Sequence, residues 1–211
     1  MNTYWNPQQI EANSMEIVEA HLHEYYGSPR EKWIAKRVVH ATADPSLAAK
    51  LVFNWGDFCS RLPFLRERGI SVYTDVHMLR CGVSLKGKAS YPLEVNCFID
   101  YPEVKAMAAR KQITRAAAAM YWTGRDLDNS LLAIGNSPTA LLAVLDIIEQ
   151  EQIQPAMIIG APVGFVGAEE SKTLLAQRKN PPYVALLGKR GGSPVAAAIV
   201  NALLSLEEGE E

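Results

Sequence analysis

The sequence predicts an α/β protein: an open parallel sheet with helices on both faces and extra helices at the N-terminus. Three observations lead there. Short apolar runs in the second half end in glycine and pass into helical patterns. The first 68 residues lack that rhythm and read as helices. Hydrophobic residues make up 48% and charged residues 21%, the balance of an ordinary globular chain.

The elements follow in order. Asn6-Pro7 gives an N-cap with proline at the first helical position, and Ile10, Ile17, Val18, Leu22 and Tyr25 form an apolar stripe. Ser28-Pro29 with Glu31 repeats the start signal and opens a helix through Trp33, Ile34 and Val38 toward His40. Asp44-Pro45 begins another short one, because a residue before proline avoids the α region. From Gly69 the predicted strands are Ile70–Asp75, Leu93–Ile99, Leu131–Ile134, Ala156–Ile159 and Tyr183–Leu187. The last three run into Gly135, Gly160 and Gly188, and the helices that follow are Pro138–Glu151, Ala168–Gln177 and Pro194–Leu206. Strand–glycine–helix in series means parallel strands joined by right-handed crossovers. Ligands of such sheets bind outside the carboxyl ends of the strands.

The 211 residues fit one domain: a helical part over 1–68, an α/β core over 69–206 and an acidic tail from Glu207 to Glu211. Lys plus Arg number 21 against 23 for Asp plus Glu, a net charge of -2. That balance gives sequence-independent nucleic-acid or anionic-membrane binding little to work with. Met1 to Gln9 lacks the basic and apolar segments of a secretory signal. No apolar run reaches the roughly 18–20 residues needed to cross a bilayer. Cys59, Cys81 and Cys97 stand far apart, so neither a disulfide framework nor a zinc site is suggested. A cytoplasmic protein is the default expectation.

Three turns fall at the carboxyl edge: Gly135 to Thr139, Gly160 to Gly167 and Gly188 to Ser193. Glycines let backbone N–H groups converge beside a helix N-terminus, so each turn can hold an anion. They can equally close tight turns and cap helices. The spacings match neither G-x-G-x-x-G nor G-x-x-x-x-G-K-[ST]. Of the four histidines, His21 and His23 read as surface residues and His77 as structural. His40 stands apart, with Arg37 three residues before it and Asp44 four after. If the helix persists, Asp44 orients the imidazole; the alternative is a helical histidine that is merely hydrogen-bonded. An imidazole exchanges a proton readily near neutral pH.

Four segments stand in order along the chain: Arg37 to Asp44 (RVVHATAD), Ile134 to Leu141 (IGNSPTAL), Pro162 to Lys172 (PVGFVGAEESK) and Gly191 to Ala198 (GGSPVAAA). Together they resemble the precorrin-8X methylmutase (precorrin isomerase) family of cobalamin biosynthesis, from about Pro7 to Leu206. The resemblance implies a flavodoxin-like domain working as a homodimer. It implies an isomerase that moves a methyl group from C-11 to C-12 on ring C of precorrin-8X or cobalt-precorrin-8, giving hydrogenobyrinate or cobyrinate. Neither a redox cofactor nor an external methyl donor is implied.

The family's catalytic histidine falls on His40, which would give a proton to the macrocycle and take it back. Its contact arginine falls on Arg37, an N-terminal contact serine on Ser14, and the arginine of a Thr-Arg element on Arg115. The matched turns add Asn136, Thr139, Lys189 and Arg190 as implied substrate contacts. A flat macrocycle fringed with carboxylates needs cationic and backbone donors, which Arg37, Arg115, Lys172, Lys189, Arg190 and the glycine turns could supply. Cys81 reads as a small buried side chain. Two other readings are a non-catalytic tetrapyrrole carrier and a nucleotide- or flavin-binding protein. Retention of His40 with Arg37 counts against the first, and the missing phosphate signatures against the second.

Overall fold

A computed structural model describes residues 6–84 and 91–206; the predicted acidic tail, Glu207 to Glu211, lies outside the described residues. The N-terminal start signals act as read. Helix α1 (Pro7–His21) begins where Asn6 Oδ1 accepts the Gln9 N–H at 3.1 Å. Helix α2 (Pro29–Thr42) carries a full capping box: Ser28 Oγ accepts from Glu31 N–H, and Glu31 Oε2 accepts from Ser28 N–H. Ala43, in the left-handed region at φ 52°, ends α2. Asp44 then caps a short 3-10 helix, Pro45–Lys50.

Strand β1 (Leu51–Asn54) follows, in a stretch read from sequence as helical. Next come α3 (Phe58–Arg68), β2 (Ile70–Thr74), α4 (His77–Gly82), β3 (Leu93–Asn96), α5 (Pro102–Lys111) and α6 (Arg115–Thr123). The series closes with β4 (Leu131–Ile134), α7 (Pro138–Glu151), β5 (Met157–Gly160), α8 (Ala168–Ala176), β6 (Tyr183–Leu186) and α9 (Ser193–Leu204). The five predicted strands and three predicted helices are all present, with ends moved by up to three residues.

The sheet order is β1-β6-β5-β4-β2-β3. Strands β2 to β6 pair in parallel, but β1 runs antiparallel to β6, with Leu51 opposite Leu186. The sheet is therefore mixed rather than wholly parallel. A four-residue strand is too short to display its alternation, and its partner lies far along the chain.

Alternate residues feed two cores, the period of two expected of strands. Val72, Leu131, Ala133, Met157, Ile159 and Val184 share one core with residues of α2, α3 and α9. Leu132, Ile134, Ile158 and Ala185 share the other with residues of α5, α6 and α7. Helix α9 is buried along most of its length because the sheet lies on one side and α2 on the other. That extra outer layer carries the C-terminal turn of α2 to the N-terminus of α9. Helix α1 lies against α2 through Val18 and Leu22, whereas Ile10 and Ile17 of its predicted stripe stay exposed. Among the described residues no helix is long and apolar enough to cross a membrane.

Candidate active site

His40 occupies the last turn of α2, half-buried, with its Nδ1 2.9 Å from Ser14 Oγ on α1. Among the described residues it is the one that lines both of two neighbouring hollows. The larger, about 620 Å³, opens between α1 and α2 and is walled by Ile10, Ser14, Ile17, Val39 and Pro45. The smaller, about 330 Å³, is walled by Arg37, Met78, Ser193, Pro194 and Ala197. It takes in the first turn of α9, the end of the helix that carries positive potential. Arg37 lies one turn before His40, pairs with Glu11 Oε1 at 3.3 Å, and sits over the Trp33 ring at 5.7 Å. Its cation is thus held beside the imidazole by α1 and by its own helix.

Asp44 does not orient His40. The left-handed Ala43 takes it off the α2 phase, and its carboxylate instead pairs with the Arg190 guanidinium, which also donates to Ser46 Oγ at 3.0 Å. Arg190 thereby fastens the turn after β6 to the 3-10 helix. Lys189 is exposed, and its backbone carbonyl accepts the Gly164 N–H at 3.0 Å.

The turn after β4 is committed internally. The Asp75 carboxylate, fully buried, accepts from the N–H groups of Gly135 at 3.2 Å and of Asn136 and Ser137, both at 2.7 Å. Burial pushes its pKa up, and the three N–H groups pull in the opposite direction. The anion that this nest holds is the protein's own, so these donors do not serve a ligand carboxylate. Nothing in the local sequence pointed to this, because the donors lie on another strand's turn. The Asn136 side chain remains exposed. Thr139 Oγ1 lies 2.6 Å from Thr114 Oγ1 and 2.8 Å from Ser137 Oγ, which ties the start of α7 to the cap of α6. Neither Asn136 nor Thr139 lines either hollow.

Lys172 is likewise structural rather than a free cation for substrate. Its buried Nζ donates to the carbonyls of Pro162 at 2.9 Å and Arg190 at 2.8 Å. Burial pushes its pKa down to about 8. Gly191 lets the two turns approach: a Cβ there would lie 2.2 Å from the Ala161 oxygen. Phe165 and Val166 stand out from the same loop, each 89% exposed.

Arg115 opens α6 and pairs with Asp100 at 3.0 Å, an acid that Lys105 and His77 also contact. Lys105 chiefly, with the His77 hydrogen bond and the Arg115 charge, holds Asp100 below the usual carboxylate range. Arg115 lines neither hollow. His77 Nε2 lies 3.0 Å from Asp100 Oδ2, and His21 and His23 are exposed. Cys81 is exposed, not buried, because Leu79 two residues before it takes the inward side of α4. Among the described residues no group of three or more His, Cys, Asp or Glu side chains is placed to hold a metal ion.

An α/β scaffold with one imidazole on the wall between two hollows, a cation one turn away and a helix N-terminus opposite is equipped for acid–base work on an anionic ligand. Residues 9–206 match the precorrin-8X methylmutase family model. The chain is 37% identical over 208 residues to the cobalt-precorrin-8 methylmutase of Methanocaldococcus jannaschii, covering 96% of this chain and 95% of that one. It is 37% identical over 176 residues to the precorrin-8X methylmutase of Pseudomonas aeruginosa, covering 83% and 84%. The solved structure of precorrin-8x methyl mutase from Thermus thermophilus superposes with a TM-score of 0.81 at 31% identity, covering 92% of this chain and 95% of that one. The chain belongs to the precorrin-8X methylmutase family, and it is an isomerase that catalyses a methyl migration in cobalamin biosynthesis.

Proposed function

We propose that His40 is the proton donor and acceptor for the shift of a methyl group from C-11 to C-12 on ring C of precorrin-8X or cobalt-precorrin-8. The observation that carries this is the position of His40 on the wall shared by the two hollows, with Ser14 on one ring nitrogen and Arg37 one turn away. The carbon–methyl bond at C-11 breaks and the one at C-12 forms within one molecule. The protein supplies orientation and a proton, delivered to the ring C nitrogen and then recovered. The products are hydrogenobyrinate or cobyrinate, and neither a redox cofactor nor a methyl donor enters the balance.

Arg37 receives a peripheral carboxylate, aided by the positive end of α9. Asn136, Thr139, Lys189 and Arg190 are carried as further contacts from the family resemblance, Ser14 through its contact with His40, and Arg115 as one that reaches the substrate of a partner subunit. On this reading the 211 residues form one cytoplasmic, flavodoxin-like unit. A second copy completes the cleft, since the larger hollow beside His40 is open and walled by exposed Ile10 and Ile17.

The test is to incubate the protein with precorrin-8X and, separately, with cobalt-precorrin-8, following the absorption change of methyl migration. His40→Ala is run beside it, with product titration as the control for binding. The expected result is a turnover loss of at least about a hundredfold with product binding retained. Turnover within a fewfold of wild type would remove His40 from the chemistry.

A further inference from the structure

We infer that Ser14 is a positioning residue that holds His40 as the Nδ1–H tautomer, leaving Nε2 as the nitrogen that gives the proton and recovers it. This rests on the proposed role of His40 and assigns Ser14 a different role from direct contact with substrate. Ser14 Oγ lies 2.9 Å from His40 Nδ1, in a part-buried setting. The two nitrogens of an imidazole face away from one another across the ring. With Nδ1 turned to α1, Nε2 is directed away from Ser14, and His40 also walls the hollow that contains Arg37 and the first turn of α9. Nδ1 is the anchored atom and Nε2 the available one.

Helix α1 is held so that this contact has a fixed geometry. Glu19 joins the ammonium groups of Lys32 and Lys36, and Glu11 joins Arg37. Glu11 and Ser14 are three residues apart on α1, as are Arg37 and His40 on α2, so two contacts one helical turn apart couple the helices.

The proton cycle selects which partner donates. A histidine that acts as an acid carries protons on both nitrogens, and then Nδ1–H must donate to Ser14 Oγ, which accepts. Transfer breaks the Nε2–H bond and forms an N–H bond on the macrocycle, leaving a neutral imidazole. If Ser14 keeps the Nδ1 proton, the lone pair remains on Nε2 and the same atom takes the proton back. The hydrogen bond at one nitrogen thus decides the state of the other. Without Ser14 the neutral ring reverts to its usual preference for Nε2–H, and the recovering lone pair faces α1.

Long-range nitrogen–proton NMR on protein carrying nitrogen-15 histidine reads the tautomer directly, with His40→Ala assigning the signal among the four histidines. In wild type, at a pH where the ring is neutral, the expected pattern is Nδ1–H. In Ser14→Ala it changes to Nε2–H. Single turnover of precorrin-8X or cobalt-precorrin-8, whichever wild type converts, then falls at least about tenfold, while product affinity stays within about threefold. Ser14→Thr, which keeps the hydroxyl, restores both pattern and rate. An Nε2–H pattern in wild type would overturn the inference. So would a Ser14→Ala variant that keeps Nδ1–H but loses product binding as steeply as turnover, which makes Ser14 a substrate contact. The readings separate: if His40→Ala abolishes turnover while wild type shows Nε2–H, the role of His40 stands and that of Ser14 falls. If His40→Ala turns over normally, both fall.

Discussion

Lys172 Nζ donates to the backbone carbonyl of Arg190 at 2.8 Å and so fastens the turn after β5 to the turn after β6. The same ammonium reaches Pro162 O, while Gly192 N–H donates to Ala161 O at 2.9 Å. The Gly188 to Ser193 turn leads into α9, whose first turn walls the hollow beside His40. A buried lysine at the back of these turns therefore sets the position of one wall of the site.

Lys172→Met removes both donors and leaves the buried Pro162 carbonyl and the part-buried Arg190 carbonyl without them. The expected loss is about 2–4 kcal/mol of stability, with reduced turnover. Burial lowers the lysine to about 8 from 10.5, so between those values the unfolded chain binds the extra proton. This contribution to stability is complete above 10.5 and is lost as pH falls toward 8, with a slope of at most about 1.4 kcal/mol per pH unit. The neutral amine retains two hydrogens, enough for both carbonyls. Denaturant titrations at pH 7.5 and 9.5 should show wild type gaining on Lys172→Met at the higher pH. A pH-independent gap would mean that the ammonium is effectively solvated.

Asp75 performs a matching task for the turn after β4. A Cβ on Gly135 would lie 2.9 Å from Ser193 Cα, so the turn that Asp75 gathers sits directly against the start of α9. Asp75→Ala leaves three N–H groups without their acceptor and should cost about 3 kcal/mol, a fall in Tm of roughly 6–12 °C. Asp75→Asn keeps the volume and one oxygen and should lose less. Calorimetry decides, and equal stability of Asp75→Ala and wild type would mean that water replaces the carboxylate without cost.

The docking of α1 should be acid-sensitive. Lys32 and Lys36 hold Glu19 down to about 2 from 4.5, so the ion pairs contribute fully above 4.5 and are lost as pH falls through 2. Glu19 is about half exposed, and solvent screening keeps the contribution within about 1 kcal/mol. Glu19→Gln should therefore leave global stability nearly unchanged. It should still lower turnover by a fewfold, because α1 carries Ser14. Hydrogen exchange over residues 7–21 reports the effect: faster exchange there and nowhere else is expected, and unchanged exchange would detach Glu19 from α1 docking.

What the sequence made legible was local. Ser28-Pro29-Glu31 announces α2 because a capping box closes within four residues, and each glycine after an apolar run marks the end of a buried strand. Features that depend on distant partners were hidden. Strand β1 gains its identity from β6, and the role of Asp75 from donors on the β4 turn. Asp44 looked like a partner for His40 only under continued helix periodicity; one left-handed residue, Ala43, redirected it to Arg190. Lys172 resembled an available cation because burial is invisible in a motif. The resemblance led to His40, but its contact with Ser14 Oγ needed two helices in place.

Two arginines near the site should separate by what already occupies them. Arg190 is held by Asp44 and Ser46 and closes a loop against the 3-10 helix, so Arg190→Ala should register as a loss of stability of about 1 kcal/mol and a small change in product affinity. Arg37 is restrained more weakly, by an exposed Glu11 at 3.3 Å and by the face of Trp33, and it walls a hollow with His40. Arg37→Ala should raise the product Kd by roughly tenfold or more, the worth of one charge-assisted hydrogen bond, and should flatten its salt dependence. Arg37→Lys keeps the charge but not the flat fork that stacks on Trp33, so it should recover only part of the affinity. Glu11→Gln tests the same account from the opposite direction. Freed from its carboxylate, Arg37 has more of its charge to offer, and product should bind more tightly than to wild type. Absorbance titration of the four variants at two salt concentrations gives the answer: if Arg190→Ala weakens product binding more than Arg37→Ala, the carboxylate is received at the β6 turn and not beside His40.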